Sequence, residues 1–248
     1  MKSAYPGNRL FLLLRLSLVL AGGPVFAQQG SPDPEQVAGL AFRLTNEFRA
    51  QEGRQEVVVN ERLLAAARHF AGYLAKTGKF SHEADGSNPA ARVKKHGYDY
   101  CITSENIAYR YSSNGFAMRE LAQGFVEGWK NSPGHRRNML EPDVTETAVA
   151  VASGKPGHYH AVQVFGRPAS QAIRFSVANR SNASIRYRVD DKTFSLTPQQ
   201  TRTHQNCRSS AIDFDLPGKQ RDAKVRPKNG DAFAVVRSES GGLSLKTE

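Results

Sequence analysis

The period of the apolar residues changes once along this chain, near Gly166-Arg167-Pro168, and that change constrains its folding more than any other feature. Upstream, helical and strand periods alternate. Val37, Leu40, Leu44 and Phe48 recur at helical spacing behind Asp33-Pro34-Glu35, which reads as an N-cap, a first-position proline and a first-turn carboxylate; Gly53 ends the run. A second helix starts near Asn60, carries Leu64, Ala67, Phe70, Ala71 and Leu74 on one face, and stops at Gly78. A third spans roughly residues 116–130, with Leu121, Phe125 and Trp129 four apart, and Trp129 reads as core. Residues 148–152 and 159–165 alternate apolar and polar side chains, as half-buried antiparallel strands do. Downstream no helical period survives. Residues 173–177, 185–189, 194–196, 212–216 and 233–236 are short alternating runs separated by Asn, Ser, Asp, Gly and Pro. The expectation is an α+β domain over residues 28–167, followed by a small all-β, sandwich-like domain of about five to seven strands over residues 168–248.

The first 27 residues stand apart. Lys2 and Arg9 precede the apolar run LFLLLRLSLVLAGG, and Val25-Phe26-Ala27 supplies the residues a signal peptidase reads. Arg15 interrupts the run, which is short for a membrane span. Residues 1–27 are therefore read as a signal peptide, with an uncleaved anchor as the alternative. The mature chain is expected outside the cytoplasm, secreted or periplasmic, without a stable membrane span. The formal charge of +11 falls by three, to +8, when Lys2, Arg9 and Arg15 leave. Its basic residues are scattered, as in RVKKHGY and GKQRDAKVRPKNG, and make no stripe with interleaved aromatics, so nucleic acid is not an expected partner. Cys101 and Cys207 are the two cysteines. In an exported protein an even count favours a disulfide, here one joining the two domains; the alternative is two unrelated buried thiols.

Chemistry-bearing residues cluster in three places: His82 in FSHEADGSNP, Glu105 in SENIA, and Glu127 with His135 in FVEGWKNSPGHRRNML, where Ser132, Pro133 and Gly134 read as a turn aiming His135. Imidazoles and carboxylates are ligands of hard and borderline cations, but these lie far apart in sequence and only a fold can bring them together. The four residues resemble the tetrad of the CAP superfamily (cysteine-rich secretory proteins, antigen 5 and pathogenesis-related 1 proteins). The likeness runs over about residues 37–165 and closes on HYHAVQVFG, which resembles the family's last strand. It implies an α-β-α sandwich around a small antiparallel sheet. It further implies a central cleft in which His82 and His135 bind a divalent metal, usually zinc, with Glu105 and Glu127 beside them to orient the imidazoles or hold a water. His69, His96, His158, His160 and His204 are read as surface or hydrogen-bonded histidines, His160 lying on a strand near the cleft.

Three functions are compatible with this pattern. One is an exported binding module for a lipid, a cell-wall polymer or an extracytoplasmic protein. Another is a metal-assisted hydrolase, protease or esterase, with Glu105 or Glu127 as base. The third is an interaction protein with a purely structural tetrad. Ser81 beside His82 does not make a nucleophile, and no GxSxG elbow or triad acid is present. The absence of a nucleophile and the appended all-β part favour binding. A single cysteine in the CAP-like part, where eukaryotic relatives carry several disulfides, resembles a bacterial member.

Overall fold

The computed structural model describes residue 1 and residues 31–216, 223–239 and 241–248. The expected signal peptide lies outside the described residues. Helices α1 (Pro34–Gln51), α2 (Glu61–Thr77) and α3 (Pro89–Lys95) precede the long strand β2 (Tyr100–Tyr111), with the two-residue β1 (Val58–Val59) between the first two. Helices α4 (Met118–Lys130) and α5 (Pro133–Leu140) follow, then β3 (Glu146–Lys155) and β4 (His158–Pro168). Side chains at the helix starts explain the boundaries. Asp33, Asn60 and Asn88 each accept a bond from a first-turn N–H, and α1 and α3 carry proline in the first turn. Gly78, at φ +70°, closes α2 in the left-handed conformation and donates its N–H to the Leu74 carbonyl at 2.8 Å.

The sheet has the order β1-β3-β4-β2, with β2 at one edge; β2, β3 and β4 pair antiparallel and β1 joins β3 in parallel. Its strands divide their side chains by parity. Ile102, Val149, Tyr159, Ala161 and Phe165 pack with Val37, Phe48, Leu121, Phe125, Trp129 and Met139 of α1, α4 and α5. Ile107, Ala148, Ala150, Val162 and Val164 pack with Leu63, Phe70, Leu74 and Val93 of α2 and α3. The result is a three-layer α-β-α sandwich. One sequence expectation needs correction: residues 133–140 form a helix, not only a turn. Glu105 sits in the middle of strand β2.

After a 3₁₀ turn at Ala169–Gln171 come, among the described residues, eight strands: β5 (Ile173–Asn179), β6 (Ile185–Val189), β7 (Lys192–Leu196), β8 (Thr201–Asn206), β9 (Ile212–Asp215), β10 (Ala223–Val225), β11 (Ala232–Arg237) and β12 (Leu243–Thr247). They form two sheets, β10-β9-β6-β7 and β12-β11-β5-β8, that share one core of Phe175, Val177, Tyr187, Ile212, Phe214, Phe233 and Val235. The pairs are antiparallel except β5 with β11, which run parallel. The sandwich is tied to the first sheet by the Cys101–Cys207 disulfide, whose Cα atoms are 5.2 Å apart. Next to it Arg208 bonds Glu141 at 3.2 Å and the Ser209 N–H bonds Asp143 at 3.0 Å.

Candidate functional site

The parity of β2 places Glu105 and Asn106 in opposite layers. Glu105 faces α3, where its carboxylate is almost fully buried and both oxygens are taken. Oε1 meets His82 Nδ1 at 2.9 Å, and Oε2 accepts from Arg92 Nη1 at 2.7 Å. Arg92 is itself buried. It donates to both Asp85 oxygens at 2.9 and 3.0 Å and to the carbonyls of His82 and Ser87 at 2.8 and 2.9 Å, and its guanidinium lies 3.4 Å over the Phe70 ring. The His82 segment is thus pinned at its backbone by Arg92 and at its ring by Glu105. Arg92 holds the Asp85 carboxyl below the usual carboxylate range, chiefly through this hydrogen bonding. Sequence reading missed both Arg92 and Asp85. A usable signal was an arginine on the helix between the His82 and Glu105 motifs, since a buried carboxylate needs a cation.

Asn106 faces the other helical layer and heads a buried polar chain. Its amide donates to Gln163 at 3.2 Å and the His135 carbonyl at 3.3 Å; Gln163 donates to Thr45 at 2.8 Å. Asn138 donates to Asn106 at 2.9 Å and to the Glu105 carbonyl at 3.2 Å. These bonds dock α5, and with it His135, on the edge strand. Burial, and then the charge of His82, push the His135 pKa down, so its imidazole is neutral near pH 7. Glu105 thus bonds His82 through its carboxylate and the α5 helix that carries His135 through its backbone carbonyl. The Glu127 side chain is 57% exposed and pairs with Lys130 at 2.7 Å.

Around the β2 edge runs an open groove of about 730 Å³, lined by Phe80, Tyr109, Trp129, His135, His158 and His160, among others. Tyr109 lies across from His160 on β4 with rings 4.9 Å apart, and its hydroxyl meets His158 Nδ1 at 2.7 Å. Burial, then His158, lowers the His160 pKa. Trp129 Nε1 and His160 Nδ1 are buried without a hydrogen-bond partner among the described residues. Among the described residues no three His, Cys, Asp or Glu side chains assemble as a metal-binding group, and no helix is long and apolar enough to cross a membrane.

The model of the cysteine-rich secretory protein family, CAP, matches residues 42–165. The chain is 30% identical over 113 residues to the uncharacterized protein YkwD of Bacillus subtilis, an overlap of 45% of this chain and 41% of YkwD. It is 29% identical over 109 residues to the uncharacterized membrane protein YlbC of the same organism, covering 44% of this chain and 29% of YlbC. The match therefore spans less than half the length of either relative. Among solved structures, an outer surface protein from Borrelia burgdorferi superposes with a TM-score of 0.49 at 19% identity, over 56% of this chain and 98% of that one. An extracellular SCP-domain protein from Bacillus anthracis gives 0.44 at 22% identity, over 54% and 41%. With its α-β-α layers, its His82–Glu105 pair and half its length matched by the family model, the chain belongs to the cysteine-rich secretory protein (CAP) family.

Proposed function

We propose that this is an exported binding protein whose cleft engages an extracytoplasmic lipid, cell-wall polymer or protein, with a divalent ion held by His82 and His135. The observation that carries the reading is the groove at the β2 edge. It is open and rich in aromatic rings, and among the described residues no hydroxyl or thiol of Ser, Thr or Cys is hydrogen-bonded to an imidazole. Export is supported by the N-terminal pattern and by the disulfide, which belongs to an oxidising compartment.

The donor chemistry fits an ion at the two histidines. His82 Nδ1 is bound to a buried carboxylate, which leaves Nε2 as the free lone pair in the arrangement that orients metal-binding imidazoles. His135 is kept neutral by burial. Two imidazoles leave positions for water or ligand, and zinc is the ion they suit best. Zinc titration calorimetry tests this. One site per chain is expected, lost in His82→Ala and in His135→Ala while the circular dichroism spectrum is unchanged. Absence of uptake by the wild type refutes the metal reading.

A second reading, a metal-assisted hydrolase, is favoured by the same pair, because an imidazole oriented by a buried carboxylate is what a general base needs. The two readings part on His82→Ala: a hydrolase loses turnover of ester or amide substrates, whereas a binding protein keeps its ligand.

A further inference from the structure

The groove at the β2 edge has a charge and ring pattern that narrows its ligand. Among the described residues its lining includes Lys76, Arg110 and Lys155 and contains no aspartate or glutamate. None of the three cations has a carboxylate partner among the described residues; the guanidinium of Arg110 is bonded to the Gly124 carbonyl. The aromatic side chains along this edge are unusually exposed for their size, Phe80 at 52%, Tyr109 at 43% and Tyr111 at 55%. They form one continuous surface. Phe80 lies 6.5 Å from Tyr109 and 6.4 Å from His160, Tyr109 lies 5.9 Å from His158, and His158 lies 4.3 Å from Tyr111. On the facing helix α4, Gly124 and Gly128 stand one turn apart and leave the groove unobstructed; a Cβ at Gly128 would meet only Arg110, at 3.9 Å.

Building on the binding reading above, we propose that this groove binds a carboxylate-bearing polysaccharide. Sugar rings present C–H faces that pack on the electron-rich faces of aromatic rings, and their hydroxyls suit the polar tips of Tyr109 and the histidines. An acyl chain would gain most from an enclosed apolar tunnel, whereas this groove is open and bordered by cations. The excess of positive charge with no acidic side chain selects an anionic over a neutral glycan. Two sources share that chemistry: the muramyl glycan of a bacterial wall, with a lactyl carboxylate on every second ring, and an acidic exopolysaccharide built of uronic acids.

The test uses the disulfide-bonded chain and four probes: peptide-free muramyl glycan strands, oligogalacturonate, the same strands with their carboxylates converted to amides, and anionic phospholipid vesicles. Binding is read by calorimetry and by co-sedimentation. Expected is saturable binding to one or both acidic glycans, with the stronger naming the source, and at least about tenfold weaker binding to the amidated strands. Tyr109→Ala and Lys155→Gln should each weaken it by about tenfold. Gly128→Leu should abolish it by filling the groove while keeping or raising the melting temperature, because leucine is the better helix former. Arg188→Gln, on a distant strand of the sandwich, controls for diffuse charge and should change nothing. Three results overturn the proposal: equal binding of amidated and acidic strands, equal losses from Arg188→Gln and Lys155→Gln, or binding of vesicles alone that Gly128→Leu abolishes. The last leaves the binding reading standing. If neither glycans nor vesicles bind and Gly128→Leu changes no binding to an extract of the cell envelope, the binding reading fails with it.

Discussion

Replacing Arg92 with methionine is the sharpest perturbation of the site, because it removes the charge while refilling most of the volume. Arg92 is 2% exposed and neutralises two carboxylates, Glu105 and Asp85, whose side chains are 1% and 8% exposed. Breaking a buried pair by deleting one member costs about 3–5 kcal/mol, since the remaining charge stays buried without a partner. Asp85 and Glu105 both lose theirs, so the expected cost is about 4 kcal/mol. For a chain of this size that lowers the melting temperature by about 8–16 °C. Glu105→Gln keeps the Arg92–Asp85 pair and should cost about 1–3 kcal/mol. In the double variant one buried anion is already gone, and part of the Arg92→Met penalty disappears with it. Urea unfolding of the four proteins, with the disulfide intact, should therefore give a coupling of about 2 kcal/mol. Additivity within about 0.5 kcal/mol, or a cost of Arg92→Met below about 1 kcal/mol, would show that water already screens these carboxylates and would refute the reasoning.

Reduction, or Cys101→Ser with Cys207→Ser, opens a loop closed across a separation of 106 residues. In the chain-entropy model this removes about 5 kcal/mol of stability, read from the shift in urea midpoint, and two reactive thiols in the unreduced exported protein would contradict the bond. Under the same reducing conditions limited proteolysis should cut first at the exposed Ala169–Gln171 turn and leave a stable N-terminal fragment; cuts scattered through residues 173–194 would place the domain boundary elsewhere. Stability should also fall with acid in two steps. His135, His160 and His204 have pKa values lowered by burial first, so they favour the neutral form in the folded state. Their contribution is complete above the ordinary imidazole value of about 6.5 and is lost as pH falls through it toward the folded-state values. Asp85, held low by Arg92, contributes above the ordinary carboxylate value of about 3.9 and loses that contribution below it. A flat urea midpoint from pH 7 to 5 would exclude the first step, and the second should be absent from Arg92→Met.

Much of this fold was written locally. The Asp33, Asn60 and Gly78 boundaries, the apolar stripes of α1, α2 and α4, and the alternation of β3 and β4 follow from backbone capping and from side-chain period, which act over a few residues and can be read in order. The motifs around His82, Glu105 and His135 were legible through their resemblance to the CAP family. Strand β8 (TRTHQN) was not, because its only fully buried side chain is His204, which packs on Phe175 at 4.9 Å and bonds Tyr187 at 2.8 Å, partners that the neighbouring sequence does not reveal. The parallel pairing of β5 with β11 was equally hidden, since alternation reports a face and not a neighbour. At the site, the family resemblance implied four side chains together. The fold joined His82 to Glu105 and docked the His135 helix on the same strand, while the exposed Glu127 pairs with Lys130 on its own helix. It also supplied the Arg92–Asp85 clamp and wrapped the aromatic groove around a sheet edge. Both depend on which residue of β2 faces which layer, and that parity is set only when the strand pairs and the two helical layers close over it.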